Sequence, residues 1–259
     1  VGAAARDPEG AADLVAATES TAGAIRTVRL DVDDDDSVVE AFAKVSSESG
    51  PVDVLVNNAG ISSTGPVEET ALAEFRRQLE TNFFGLLRCT KEVVGSMRER
   101  RGGAIVNVSS LAGRFVRPGM GAYAATKHAV EAVSEALAQE LAPFGVRVVL
   151  IEPGVILTPI WGKGDPPPTD SPYGLVAEKT IAYYGRMLRE PTPPEAVAEV
   201  IAAALVADPA RLRHPVGWDA EAITAARPSI SDERLLEMAA MGVEDWKAAW
   251  ADSFGFPLD

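Results

Sequence analysis

Cysteine, histidine and positive charge are all scarce in this chain. One cysteine, Cys89, among 259 residues rules out an internal disulfide. It falls inside an apolar helix pattern and reads as a buried, inert thiol. The two histidines, His128 and His214, stand far apart with no ligand-spaced companions, so no zinc motif is present. Lys and Arg total 24 against 38 Asp and Glu, a net charge of −14. That balance argues against nucleic acid or an anionic membrane surface as a partner. The sequence holds no apolar run long enough for a membrane span and no signal-peptide pattern, so the cytoplasm is the expected compartment. Low complexity is confined to Asp33–Asp36 and Pro166–Pro168. The four aspartates sit at a predicted helix start, where acids complement the dipole, and are read as that rather than as a metal site.

What is abundant is apolar residue, 47% of the chain, enough for a single domain with a full core. Short Val/Ile/Leu-rich runs alternate with longer amphipathic stretches, the pattern of parallel strands joined by crossover helices. Strands are predicted near 1–5, 26–31, 52–57, 103–109, 146–151 and 212–216. Helices are predicted near 8–18, 35–48, 69–82, 84–99, 122–143, 173–189 and 194–206, with more in the C-terminal tail. The basic cluster Arg98, Arg100 and Arg101 closes one of these helices and complements its dipole.

The chemistry is concentrated in Ala122-Tyr123-Ala124-Ala125-Thr126-Lys127, thirteen residues beyond Ser110. A spacing of four on a helix sets Tyr123 and Lys127 on one face, one turn apart. A phenol with its ordinary pKa near ~10 is a poor acid–base group at neutral pH. An ammonium about 4–5 Å away, at an effective dielectric of roughly 20, favours the phenolate by about 3–4 kcal/mol. That predicts a tyrosine lowered by roughly 2–3 pKa units, into working range.

The surroundings are equally specific. Val54-Leu55-Val56-Asn57-Asn58-Ala59-Gly60 is an apolar strand entering Asn-Asn-Ala-Gly, and Asn82 lies in a helical stretch. Ile105-Val106-Asn107-Val108-Ser109-Ser110 is a strand ending in serines; Val146 to Gly154 is a strand broken by Pro153-Gly154, with Thr158 beyond it. In this order and spacing the motifs resemble the short-chain dehydrogenase/reductase family, strongly over about residues 1–160. The resemblance implies an α/β Rossmann-type, doubly wound parallel sheet in one domain. Residues 1–154 would form the cofactor and catalytic core, 155–190 a substrate lid, and 191–259 C-terminal helices and tail.

By the same resemblance Tyr123 is the general acid/base, and Lys127 lowers its pKa and holds the nicotinamide ribose. Ser110 orients the substrate, and Asn82 anchors a water and passes protons to the lysine. Ser109, one residue earlier on a period-two strand, is expected to face the other way. Asn58, Ala59 and Gly60 flank the adenosine side of the cofactor, Gly60 permitting close backbone approach. Asp31 accepts from the adenine amino group, with Val32 beside it, and Pro153, Gly154, Ile156 and Thr158 complete the cofactor wall. The family's assemblies imply a homodimer or homotetramer.

Arg6 bears on cofactor choice. An acid at the end of the second strand pairs with the 2′-hydroxyl of NAD, whereas an arginine accommodates the 2′-phosphate of NADP. Arg6 stands there with no acid before it, a guanidinium suited to bidentate phosphate contact. NADP is therefore favoured over NAD. Asp7, before Pro8, is expected to cap the next helix. The family's Thr-Gly-x-x-x-Gly-x-Gly turn is absent, since the chain as given opens at what the family would number its second strand. The expectation is a sheet with unpaired edges where a first strand would sit, and a pyrophosphate without its helix N-terminus.

The segment Val155 to Glu190 carries Trp161, Tyr173, Tyr183, Tyr184 and Met187. Its apolar and aromatic content suits a hydrophobic ketone, aldehyde or alcohol, or else only packs the lid. Pro143-Phe144-Gly145-Val146 and Pro194 to Val200 are similar to the hydroxysteroid and retinol dehydrogenase branch. Two other readings are a non-catalytic binding protein on this scaffold and a serine hydrolase using Ser109 or Ser110. The first leaves the set Asn82, Ser110, Tyr123 and Lys127 without a purpose; the second lacks a Gly-x-Ser-x-Gly elbow. The acidic tail, 218–259, with Trp218, Trp246 and Trp250, is expected either to cover the pocket or to join an oligomer interface.

Overall fold

Runs of four to eight residues, branched and apolar at Val54–Asn57, Gly103–Val108 and Val146–Pro153, form strands, each parallel to its neighbours, and the amphipathic stretches between them form helices. The computed structural model describes residues 1–8, 16, 25–158 and 171–259. The predicted helix at 8–18 and the lid residues Trp161 and Pro166–Pro168 lie outside the described residues. The strands are β1 Gly2–Ala5, β2 Arg26–Arg29, β3 Val54–Asn57, β4 Gly103–Val108, β5 Val146–Pro153 and β6 Arg213–Val216. The described helices are α1 Asp35–Ser49, α2 Leu72–Leu79, α3 Gly85–Arg100, α4 Gly121–Leu141, α5 Gly174–Met187 and α6 Pro194–Val206. Three more follow in the tail: α7 Trp218–Ala226, α8 Asp232–Ala240 and α9 Val243–Phe254. The two helices predicted at 69–82 and 84–99 are one continuous path, joined through a π-helical turn at Glu80–Phe84.

Strands β3, β4, β5 and β6 make one four-stranded sheet in that order, and β1 and β2 make a two-stranded one. At the middle of the larger sheet Ile105 faces Val148 and Val106 faces Val149 in register. Ile105, Val106, Val149, Leu150 and Ile151 are wholly buried, as strands covered on both faces must be. Strand β3 differs: Val54 and Val56 are 42% and 43% exposed. Among the described residues no ladder joins β1 to β3, so the unpaired edges expected there are present.

Side chains, not strand pairing, tie the two sheets together. Thr81 Oγ1 donates to Asp33 Oδ2 at 2.9 Å. Arg88 pairs with Asp35 and Glu80 and donates to the Val32 carbonyl at 3.2 Å. Gly85 lets α3 approach this loop, because a Cβ there would fall 2.8 Å from Val32 Cγ2. Asp34 caps α1 by accepting from Ser37 N at 2.9 Å, and Asp35 and Asp36 fill its first turn. The aspartate run thus starts a helix and fastens it.

The tail folds back onto α5 and the segment after β4. Trp246, Trp250 and Phe254 of α9 share a core with Tyr183 and Met187 of α5 and with Leu111 and Phe115. The Trp250 and Phe254 rings lie 4.2 Å apart, and Phe115 and Phe254 5.2 Å. Such pairs each add about 0.5–1.5 kcal/mol beyond area burial. No described helix is long and apolar enough to cross a membrane.

With one neighbour apiece, β1 and β2 have less to lose on opening than β4 and β5. Amide exchange followed by mass spectrometry is expected to reach Gly2–Ala5 and Arg26–Arg29 well before Ile105–Val108 and Val148–Ile151. Equal protection of both sets would mean that the two sheets open as one unit.

Candidate active site

Strand β4 delivers Ser109 and Ser110 to the carboxyl end of the sheet. Ser110 is extended and caps the short turn Leu111–Gly113, its Oγ accepting from Ala112 N at 3.1 Å. Gly113 is needed for that turn to rest on α4: a Cβ would lie 2.8 Å from Ser109 Oγ and 3.1 Å from the Lys127 carbonyl. Ser109 is buried at 3% exposure, yet it borders the same cavity as Ser110, so alternation does not turn it wholly away. On α4, Tyr123 and Lys127 point the same way one turn apart, with Lys127 only 5% exposed. Lys127 Nζ donates to the Val108 carbonyl at 2.9 Å and sits 5.7 Å from the Tyr123 ring centroid.

Ser110, Tyr123 and Lys127 line one cavity of about 620 Å³, along with the predicted Asn58, Gly60, Pro153, Gly154, Ile156 and Thr158. Asn82 sits behind it, 2% exposed, in the π-helical turn. Its Oδ1 accepts from Ile61 N at 2.8 Å, while Nδ2 donates to the Ile61 carbonyl at 2.9 Å and to Thr126 Oγ1 at 3.0 Å. Ala59 is exposed and off the cavity wall. Arg6, Asp31 and Val32 also lie away from it, Arg6 exposed just beyond β1 and Asp31 just beyond β2. Those strands are adjacent and in register, Ala5 against Arg29. Asp31 Oδ1 accepts from Asp33 N at 3.2 Å, and Val32 packs on Gly85.

Gly154 is also required by packing. A Cβ there would come within 2.0 Å of Asp219 Oδ1, and Asp219 Oδ2 accepts from Val155 N at 2.8 Å. Asp219 is therefore what requires the glycine, by pinning the chain as it leaves β5. Nothing in the tail's local pattern marks this aspartate. Thr126, inside the Tyr-x-x-x-Lys motif, was another unforeseen member; its hydroxyl links Asn82 to the Tyr123 carbonyl at 2.8 Å.

The electrostatics correct one expectation. Burial pushes the Tyr123 phenol up to about 12, opposed by the Ser110 hydroxyl, and pushes Lys127 down to about 8, opposed by Glu131. Lys127 does not hold the phenol low here. Each group loses more by leaving water than it gains from the other, and the ammonium spends a donor on Val108. The protein's own side chains keep Tyr123 protonated, the form that donates. Cys89 is buried, its thiol pushed up to about 11 by desolvation, in line with an inert role. His128 is exposed and bonded to the Ala124 carbonyl at 2.9 Å.

These shifts fix a pH dependence. Lys127 has a folded pKa of about 8, below the ordinary lysine value, so the unfolded chain binds the extra proton above that pH. Its penalty is present at lower pH and is relieved as pH rises. Tyr123 acts with the opposite sign, costing stability only when pH climbs above ~10. Urea unfolding at pH 7.5 and 9.5 should show wild type gaining about 2 kcal/mol over Lys127→Met across that interval. A constant difference would mean Lys127 is hydrated in the folded protein.

The family model described as short chain dehydrogenase matches residues 1–167. The uncharacterized oxidoreductase YusZ of Bacillus subtilis is 38% identical over 223 residues, which cover 83% of this chain and 79% of that protein. The NADPH-dependent 3-dehydrocapnine reductase of Ornithobacterium rhinotracheale is 38% identical over 207 residues, 77% of this chain and 73% of that protein. A short-chain dehydrogenase from Streptomyces avermitilis has a crystal structure that matches with a TM-score of 0.78 at 34% identity, covering 97% of this chain and 89% of that one. The serines at the end of β4, the Tyr-Lys pair on α4 and these likenesses agree: the chain belongs to the short-chain dehydrogenase family of NAD(P)-linked oxidoreductases that act on CH–OH groups.

Proposed function

We propose that the protein interconverts a hydrophobic ketone or aldehyde and its alcohol with NADP(H), using Tyr123 as general acid/base. The observation that carries the reading is the convergence of Ser110, Tyr123 and Lys127 on one largely apolar cavity. A dinucleotide is compatible with the cleft. Among the described residues its wall holds Arg117 and Lys127 and no carboxylate, which suits a polyanion. At Gly60 an added Cβ would meet nothing nearer than Asn82 Oδ1 at 3.4 Å and Lys127 Nζ at 3.9 Å, so a ligand can approach the backbone there.

When bound, NADPH supplies the hydride for the carbonyl carbon. The proton for the carbonyl oxygen comes from Tyr123 Oη, which burial keeps loaded. Ser110 Oγ is in hydrogen-bonding contact with Tyr123 and donates to the Pro153 carbonyl at a long 3.4 Å, a bond it would exchange for one to the same oxygen. As the phenol gives up its proton, the buried Lys127 ammonium stabilises the charge that appears and holds the ribose. Asn82 sets the backbone at Ile61 beside this group. Pro153, Gly154, Ile156 and Thr158 would flank the nicotinamide half, and the turn Asn58, Ala59 and Gly60 the adenosine side.

For the adenosine half, Arg6 and Asp31 stand at the carboxyl ends of paired strands, where ligands of open α/β sheets bind. Arg6 is exposed, and among the described residues no carboxylate lies within 4.0 Å of it, so its guanidinium is available to a 2′-phosphate. A relative 38% identical is named as NADPH-dependent, which also favours NADP over NAD. The proposal extends to residues 155–190 as lid, to a homodimer or homotetramer, and to the cytoplasm.

Two measurements test it. Tyr123→Phe should lower turnover by at least ~10²-fold with cofactor affinity little changed, the usual worth of a positioned proton donor; wild-type turnover would remove Tyr123 from the mechanism. Arg6→Ala should raise KM for NADPH by about 10-fold or more while leaving that for NADH near wild type, the loss of one charge-assisted contact. Equal changes for both cofactors would make Arg6 an ordinary surface residue.

A further inference from the structure

We propose that Arg117 is an anion anchor in the substrate half of the cavity, so that the carbonyl substrate carries an oxyanionic head on an apolar body. This rests on the carbonyl–alcohol chemistry proposed above and narrows its substrate class.

The first argument is the composition of the wall. The chain has 38 acidic residues, yet no Asp or Glu lies on the cavity wall among the described residues. The cations there are Lys127, at the catalytic end, and Arg117. A guanidinium partly withdrawn from water, with no carboxylate in ion-pair contact among the described residues, favours an anion brought by the ligand.

The second is how Arg117 is held. Its guanidinium carbon lies 3.6 Å from the Tyr183 ring centroid and 4.7 Å from that of Tyr184. Nη2 donates to Tyr184 Oη at 2.7 Å. Stacking occupies the face of the group and leaves the edge, where the paired N–H donors that suit a carboxylate, sulfonate or phosphate are carried. Among the described residues no carboxylate comes within the 4.0 Å of an ion pair with Arg117. The buried Asp219 carboxylate feels the charge of Arg117, but it makes no ion pair with it: Oδ2 accepts from Val155 N at 2.8 Å and Oδ1 has no hydrogen-bond partner among the described residues.

The third is direction. Arg117 lies between Ser110 and Tyr123 in the chain, and Met120, three residues on and just past the Pro118-Gly119 turn, accepts from Tyr184 Oη through Sδ at 3.5 Å. Phe115, Met120, Val155 and Tyr183 give the wall around it an apolar surface. A head group on Arg117 would therefore lead an aliphatic body along that wall toward Ser110 and Tyr123. The competing role is a strut, in which Arg117 only clamps α5 to the 114–120 segment. A strut, when removed, weakens charged and neutral ligands alike.

Titration calorimetry in the presence of NADP⁺ would compare octanoate with octan-1-ol on wild type, Arg117→Lys and Arg117→Met. Methionine keeps an apolar stem on the tyrosines without the charge. Wild type should prefer octanoate by about 10- to 100-fold, the worth of a charge-assisted contact. Arg117→Lys should retain most of that preference, and in Arg117→Met the ratio should collapse toward one. No preference in wild type, or an unchanged ratio in Arg117→Met, overturns the anchor. Octyl sulfonate and octyl phosphate in the same titration identify the head group preferred. Turnover of 3-oxo- to 7-oxo-octanoates against their methyl esters separates the two proposals. Reduction of acids and esters at equal kcat/KM keeps the carbonyl chemistry and sinks the anchor. Octanoate preference that depends on Arg117, with no oxo compound reduced, keeps the anchor and sinks the carbonyl chemistry.

Discussion

The side chain of Asn82 fixes the spatial relation on which the cavity wall depends. It sits in a widened helical turn, so its amide is aimed inward rather than along the helix surface. From there it closes both hydrogen bonds of Ile61, just after Gly60, and reaches Thr126, next to Lys127. One amide therefore sets the distance between the loop after β3 and the helix that bears the tyrosine. All of its bonds are buried, so losing it leaves polar backbone unpaired at the heart of the site. The polar layer continues outward through Asn57, which donates to Thr90 and Asn107, and Asn107, which donates to Ser134.

Burial then decides the chemistry of the groups so positioned. Simple attraction between an ammonium and a phenolate pictures Tyr123 as lowered; desolvation in the folded chain reverses that sign. The same desolvation draws Lys127 toward neutrality. Behind Lys127, one turn along α4, Glu131 is buried and bonded to Arg213 at 2.9 Å, and Arg213 in turn approaches Glu152 at 3.5 Å. Glu152 is itself pushed upward by burial and by Glu131, with Arg114 opposing at 3.0 Å. Charge inside this end of the sheet is thus carried as a chain of partners rather than as isolated ions.

Much of this was legible in the residues. The central strands announced themselves by branched apolar runs, and the candidate set Ser110, Tyr123 and Lys127 by fixed spacing on a strand end and a helix. Other parts depend on contacts distant in sequence. The π-helical turn has no local signature, because Glu80–Phe84 reads as ordinary amphipathic helix until Asn82 needs to face inward. Gly154 looks like a strand breaker, and only Asp219, sixty-five residues later, reveals why no side chain fits. Arg117 precedes a Pro-Gly turn and reads as a surface cation until Tyr183 and Tyr184 close over it. The aspartate run was recognisable as a helix start, but its use in holding two sheets together requires Thr81 and Arg88 to be in view.

The tail has a consequence for how this protein is tuned. Leu111, Phe115 and Val155 belong both to the pocket wall and to the core built around Trp250. The outline of the cavity therefore depends mechanically on a segment more than a hundred residues from Tyr123. Selectivity and the rigidity of the last three helices are a single quantity, and a designer who reshapes one inherits the other.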